Sequence, residues 1–149
     1  MKKILKVLLI ILLIGTSIGI LIVGKGYSMY KEAIQEMPLE DKVDKIRQKE
    51  GYTKISELPQ TYLEAVISVE DHRFYKHPGI DIIAIGRAII NDIKAMEFVE
   101  GGSTITQQIA KNEYFSQEKK MSRKVAEVFM AFEIEKKYSK TEILELYIN

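Results

Sequence analysis

The sequence contains no cysteine, which rules out a disulfide framework and a thiolate metal site. That absence fits several compartments and does not decide the redox environment. A basic excess is also missing from the body of the chain. Lys2, Lys3 and Lys6 precede the first apolar run and no acid does; setting them aside leaves 19 basic against 21 acidic residues. A mildly acidic body argues against a duplex nucleic-acid binder, which needs a basic footprint, so any cationic site has to be local. Internal repeats and low-complexity segments are absent too. At 149 residues, 46% apolar and 29% charged, the chain has room for one domain plus an appendage.

What is present begins with eighteen consecutive uncharged residues, Val7 to Gly24, about 27 Å as a helix and just enough to cross a bilayer. A cleaved signal peptide shares the basic start and the short apolar run. No Ala-x-Ala type site follows, and the run exceeds the usual signal core, so an uncleaved anchor is favoured. The three lysines place residues 1–6 in the cytoplasm by the positive-inside rule and everything after Gly24 outside. Residues 25–50 are charged, with a thin apolar stripe at Leu39, Val43 and Ile46 that suits a surface helix after Pro38. This stretch reads as a stalk, leaving 51–149 as the chemical body.

Helical signals recur through that body. Pro59 suits a first helical turn, and the helix it opens carries Tyr62, Leu63, Val66 and Ile67 inward and ends at Glu70. Asp81 can cap a second helix, with Ile82, Ile85, Ile89 and Ile93 at helical spacing. Thr104 with Gln107, and Ser139 with Glu142, have capping-box spacing. Between them a helix from about Glu118 to Tyr138 places Met121, Val125, Val128, Phe129 and Phe132 on one side. At about 100° per residue Lys119, Arg123 and Glu127 lie within roughly 80° of one another and are expected to point away from the core.

The chemistry-bearing stretch is EDHRFYKHPG, Glu70 to Gly79, which holds both histidines and an adjacent pair of carboxylates. Glu70 with Asp71 could accept a proton, or could be two acids at a helix end that the macrodipole does not favour. His72 and His77, five residues apart, do not share a helix face, and no HExxH pattern accompanies them. Hydrogen bonding that fixes the loop is therefore favoured over metal ligation. Lys111, Lys119, Arg123 and Lys124 surround Glu127 in a cation cluster of the kind a pyrophosphate leaving group demands, although a solvated helix face would show the same charges. Ser103, Thr104, Gln107 and Gln108 either cap a helix start or offer hydroxyls and amides to a polyhydroxyl substrate.

In order along the chain, EDHRFYKHPGID from Glu70, GGSTITQQ from Gly101, RKVAE from Arg123 and KTEILELYIN from Lys140 resemble four successive motifs of the peptidoglycan glycosyltransferases, glycosyltransferase family 51. The resemblance runs from about Gly51 to Asn149. It implies a mainly α, lysozyme-like fold that polymerises lipid II into a β-1,4-linked glycan strand and releases undecaprenyl pyrophosphate. The implied location is the extracytoplasmic face of the cytoplasmic membrane, on a single-pass anchor. Position by position, Glu70 resembles the base that deprotonates the acceptor 4-hydroxyl, and Glu127 the second family carboxylate. Lys111, Arg123 and Lys124 match basic positions near the donor pyrophosphate. Asp71, Phe74 and His77 in the first motif, and Ser103, Thr104, Gln107 and Gln108 in the second, are expected around the substrate. Lys119 stands where family members often have Arg, so the planar fork is lost there.

The resemblance also implies no required cofactor, with a divalent cation, Mg or Mn, compatible with the pyrophosphate. Its implied partners are lipid II, the growing lipid-linked strand, the membrane and other cell-wall synthesis proteins, with no nucleic acid. In the family a mobile lobe dips into the bilayer between the first two motifs, so 82–98 is expected either to do likewise or to be buried in a small core. The family domain continues past a fourth motif, so Leu144 and Leu146 are expected to lack cover, and this stretch taken alone reads as C-terminally truncated. A muramidase-type hydrolase and an inactive membrane-tethered interaction module are the rival functions. A hydrolase must protonate an alkoxide leaving group and needs a carboxylic acid there, whereas the cation-rich face suits a leaving pyrophosphate.

Overall fold

The computed structural model describes residues 2–97, 101–116 and 120–149. The apolar run does not stop as helix at Gly24. It continues to the end of α1, Lys2–Glu36, since nothing between Gly24 and Glu36 breaks it. Thr16 and Ser17 satisfy their hydroxyls on the carbonyls of Leu12 and Leu13, at 2.8–3.0 Å, so the apolar stretch carries no unmet polar side chain there. No residue of its apolar window is buried, and this is a helix long and apolar enough to cross a membrane.

The part of α1 beyond the apolar run docks on the body. Gly26 is buried against α6, Met121–Lys137, and Tyr27 and Tyr30 enclose the Phe129 ring at centroid distances of 5.2 and 5.9 Å. After Pro38 comes α2, Leu39–Arg47, with Glu40 and Asp41 in its first turn and Lys45 and Arg47 in its last, the arrangement the helix macrodipole favours. Its stripe of Leu39, Val43 and Ile46 is buried. The stretch read as a stalk thus supplies part of the core.

Five more helices complete the described chain, with single 3-10 turns at Ile55–Glu57 and Phe74–Lys76: α3 Gln60–Glu70, α4 Ile82–Ala95, α5 Ile105–Tyr114, α6, and α7 Lys140–Ile148. No strand occurs among the described residues. The three expected caps form. Asp81 accepts from the N–H groups of Ile83 and Ala84, and Thr104–Gln107 and Ser139–Glu142 close as capping boxes, each cap contributing about 1 kcal/mol. The core joins Phe74, Ile105, Ile109, Met130, Ile134, Ile143, Leu144 and Leu146 to the α2 stripe. Leu144 and Leu146, expected to lack cover, are buried because α2 and α5 both pack on α7.

One side-chain expectation is corrected and one open choice is narrowed. On α6 the residues facing α5 and the core are Ala126, Met130 and Ile134, while Val125 and Phe129 face α1. Met121 and Phe132 are exposed. With two sides of the helix covered, Glu127 does not point outward but is only 1% exposed. On α4 the isoleucines do not fill a core: Ile82 is 80% and Ile93 70% exposed, and Ile83, Ile89 and Ile90 are more than half exposed. Phe98, Glu118 and Lys119 lie outside the described residues.

Candidate active site

Two neighbouring carboxylates part company where α3 ends. Asp71 leaves the helix with φ −160° and turns inward, while Glu70 stays on the last turn with its carboxylate exposed. Both Asp71 oxygens lie 3.0 Å from Nε2 of His77, and Oδ2 also accepts from the Ile105 N–H at 3.1 Å. The acid that is misplaced for its own helix is thereby the anion at the N-terminus of α5. His77 Nδ1 accepts from the Gly79 N–H at 3.2 Å, which puts the neutral ring's hydrogen on Nε2, toward Asp71.

Glu70 is held from α5. Gln108 Nε2 donates to Glu70 Oε2 at 2.9 Å, and the Tyr147 hydroxyl donates to Gln108 Oε1 at 3.3 Å. Burial, followed by the charge and hydrogen bonding of Glu70, raises the Tyr147 pKa, so this phenol remains a donor.

The second carboxylate is Glu127. Arg123 Nε stands 3.0 Å from its Oε1 and Lys124 Nζ 2.9 Å from its Oε2, yet neither carboxylate oxygen has an aligned hydrogen bond among the described residues. The pairing is Coulombic, and the buried oxygens keep unused acceptor capacity. Arg123 also donates through Nη1 to the Ser116 carbonyl at 3.0 Å, and Lys124 to Ser103 Oγ at 2.6 Å. Lys124 thus links the glycine-rich segment before α5 to α6. Lys111, one turn beyond Gln108, has no side-chain partner among the described residues.

Several residues expected around a substrate are otherwise committed. Phe74 is fully buried under the Lys140 ammonium, 4.4 Å from its ring centroid. Asp71 and His77 are buried and saturate each other. Thr104 and Gln107 are buried in their capping box, with the Thr104 hydroxyl donating to the Gly79 carbonyl at 2.7 Å. Gly79 has φ +95°, and a side chain there would meet Glu135 and the Ala131 carbonyl, so that corner needs glycine. These five residues build the site's floor and do not line an opening. Asp71, His77 and Asp81 place ligand atoms within 4.8 Å of one another. Arg73, at 2.8 Å, and two N–H groups already occupy Asp81, so a metal would have to compete with those bonds.

The transglycosylase family model matches residues 37–149. The chain belongs to the transglycosylase family. It is 48% identical over 102 residues to penicillin-binding protein 1A/1B of Bacillus subtilis (strain 168), covering 68% of this chain and 11% of that protein. Penicillin-binding protein 1F of the same organism is 52% identical over 95 residues, 64% of this chain and 13% of the relative. Penicillin-binding protein 1A of Neisseria cinerea is 47% identical over 102 residues, 68% and 13%. The chain spans about an eighth of the length of these curated relatives.

The transglycosylase domain is mainly α and lysozyme-like, and its match begins at residue 37, ahead of the α2 stripe. Within it, residue-by-residue reading missed Tyr147, Arg73 and Glu135. Glu135 accepts from both Thr106 Oγ1 and Lys140 Nζ at 2.6 Å and ties α5, α6 and α7 together beneath the site. For Tyr147 the available signal was its place in KTEILELYIN, and for Arg73 its place with Asp81 in EDHRFYKHPGID; for Glu135, whose partners come from other elements, there was none.

Proposed function

We propose that this chain is the glycosyltransferase part of a peptidoglycan polymerase, joining lipid II units into a β-1,4-linked strand in cell-wall synthesis. The observation that carries the proposal is the pairing of an exposed, oriented carboxylate, Glu70, with a buried one, Glu127, embedded between Arg123 and Lys124. Glu70 takes the proton from the acceptor 4-hydroxyl. The hydroxyl oxygen bonds to the donor's anomeric carbon as the bond from that carbon to the pyrophosphate oxygen breaks, and the electron pair leaves with undecaprenyl pyrophosphate. Inversion places Glu70 opposite the leaving group. Arg123, Lys124 and Lys111 supply positive charge to the departing pyrophosphate, with Lys119 as a fourth cation. Glu127 holds Arg123 and Lys124 in place. Protein cations meet the leaving-group charge, so a divalent cation is an accessory, and a chelator should lower turnover less than tenfold.

A membrane-embedded substrate gives the apolar segments a common purpose. α1 spans the cytoplasmic membrane with its N-terminus inside, and the outward isoleucines of α4 enter the outer leaflet beside it. A muramidase reading is less well supported, because a hydrolase needs a carboxylic acid at the leaving group and Glu127 is flanked by two cations. The deciding experiment is Glu70→Gln in vesicles carrying labelled lipid II. Loss of the base should cost roughly 10²–10⁴-fold with unchanged helical content, and wild-type polymer from this variant would refute the assignment. Soluble sugars released from finished peptidoglycan would instead favour the muramidase.

A further inference from the structure

We propose that Tyr147 is a positioning residue for Glu70, acting by holding in place the Gln108 amide that donates to the carboxylate. The proposal rests on Glu70 being the base. A glutamine amide is a donor at one end and an acceptor at the other. The Tyr147 O–H donates to Oε1 at 3.3 Å, which leaves Nε2 to donate to Glu70 Oε2 at 2.9 Å. With the amide reversed, its oxygen would face the carboxylate and that contact would be lost, while the phenol oxygen would accept from the amide and its O–H would lose this acceptor. The amide bond to Oε2 holds the carboxylate in one orientation.

The last turn of α7 is itself held, so the phenol has a defined place. Glu145 Oε2 accepts from the Ile55 N–H and Asn149 Oδ1 from the Thr53 N–H, both at 2.7 Å. The segment before α3 and the end of α7 are thereby joined, and α3 and α5 carry Glu70 and Gln108 in between. Tyr62 is the other titratable group that acts on Tyr147; it lies on α3 and makes no hydrogen bond to the amide.

Turnover by the full anchored chain in vesicles gives the first test. Tyr147→Phe keeps the ring and removes only the donor, so kcat should fall by roughly 2- to 12-fold, the equivalent of one neutral hydrogen bond, at unchanged KM and melting temperature. Gln108→Leu should fall at least as far, and Tyr147→Phe should cost clearly less in that background than in the wild type, since it acts chiefly through the amide. In protein labelled with ¹⁵N-glutamine, Tyr147→Phe should also shift the Gln108 side-chain resonances, a readout independent of turnover. Wild-type kcat in Tyr147→Phe, an equal loss in the Gln108→Leu background, or unmoved Gln108 resonances would each overturn the positioning role while Glu70→Gln remained inactive. Full activity of Glu70→Gln would remove the base assignment instead.

Discussion

Asp71 and His77 lock each other in place, with both carboxylate oxygens 3.0 Å from Nε2 and the opposite ring nitrogen taking the Gly79 N–H. This pair, buried one residue away from the proposed base, sets where α3 must end. It also shows how two adjacent acids serve different ends: one is spent inside on the N-terminus of α5, and the other is left exposed beside Gln108.

Removing the inner acid should therefore damage the fold more than the chemistry. Asp71→Ala orphans the Nε2–H of His77 and the N–H of Ile105, each at about 1–3 kcal/mol when buried without a partner. Urea unfolding should show that loss, and Asp71→Asn, which retains an acceptor oxygen, should recover part of it. A variant as stable as wild type would mean that the α3–α5 junction is held by other contacts.

Arg123 engages two groups at once, the Glu127 carboxylate as an ion pair on the Nε side and the Ser116 carbonyl through an Nη1 hydrogen bond. Lysine keeps the charge but cannot hold both. Arg123→Lys should lower polymerisation by about tenfold or more, equivalent to at least 1.4 kcal/mol in the transition state, with little change in stability. Steady-state kinetics on vesicle-borne lipid II gives the comparison, and an unchanged kcat/KM would show that the fork is unnecessary.

The exposed face of α4 can be tested by depth. The chain has no cysteine, so Met96→Cys gives a single labelling point at the end of that helix, where residue 96 is almost fully exposed. A fluorophore there should be quenched by nitroxide-labelled lipids, and one at Gln48→Cys, on the charged end of α2, should not. Equal quenching at the two positions would remove α4 from the bilayer.

What could be read from residue order was mostly local. Pro59, Asp81, Thr104 with Gln107, and Ser139 with Glu142 mark helix starts through bonds within a few residues of themselves, and those starts are found where the pattern places them. Periodicity misled on α6 because it assumes one covered face. Here α1 covers Val125 and Phe129 while the core takes Met130 and Ile134, and Glu127 is enclosed beside the latter. The inward turn of Asp71 was hidden for a related reason, since its partner N–H belongs to Ile105, 34 positions away. Glu70 is marked in the sequence because it ends a helix next to a loop; of the residues that orient it, Gln108 on α5 is readable as a candidate polar group but not as a partner of Glu70, and Tyr147 on α7 only as a motif letter.

Asp81 gives the protein a pH-dependent contribution whose sign follows from its contacts. Burial works to raise its pKa, but the Ala84 and Ile83 N–H groups and the Arg73 guanidinium together outweigh it and hold the carboxyl below its ordinary 3.8. A group with a depressed folded-state pKa stabilises the fold above the unfolded-state value and loses that contribution as pH falls through the folded-state value. The stability difference between wild type and Asp81→Asn should be constant near neutrality and shrink below about pH 4. Urea midpoints from pH 7 to pH 3 measure it, and a difference that grew on acidification would reverse the sign.

Gly26 is where the anchor helix meets the helix that carries Arg123, Lys124 and Glu127. A β-carbon there would stand 2.6 Å from the Val125 side chain and 2.7 Å from the Ser122 carbonyl, closer than atoms approach, and the second of these is backbone that cannot swing aside. Gly26→Leu must therefore separate α1 from the first turn of α6 or bend one of them, at about 1–3 kcal/mol for an overpacked contact. Cysteines in place of Tyr30 and Phe129, whose rings stack 5.9 Å apart, report the docking: oxidative cross-linking should be efficient in the otherwise wild-type chain and should fall sharply with Gly26→Leu. Because the site's cations ride on that same turn, polymerisation of membrane-borne substrate should drop along with the cross-link. Cross-linking that survived Gly26→Leu would show that α6 can accommodate the side chain and that glycine is not needed for the two helices to dock.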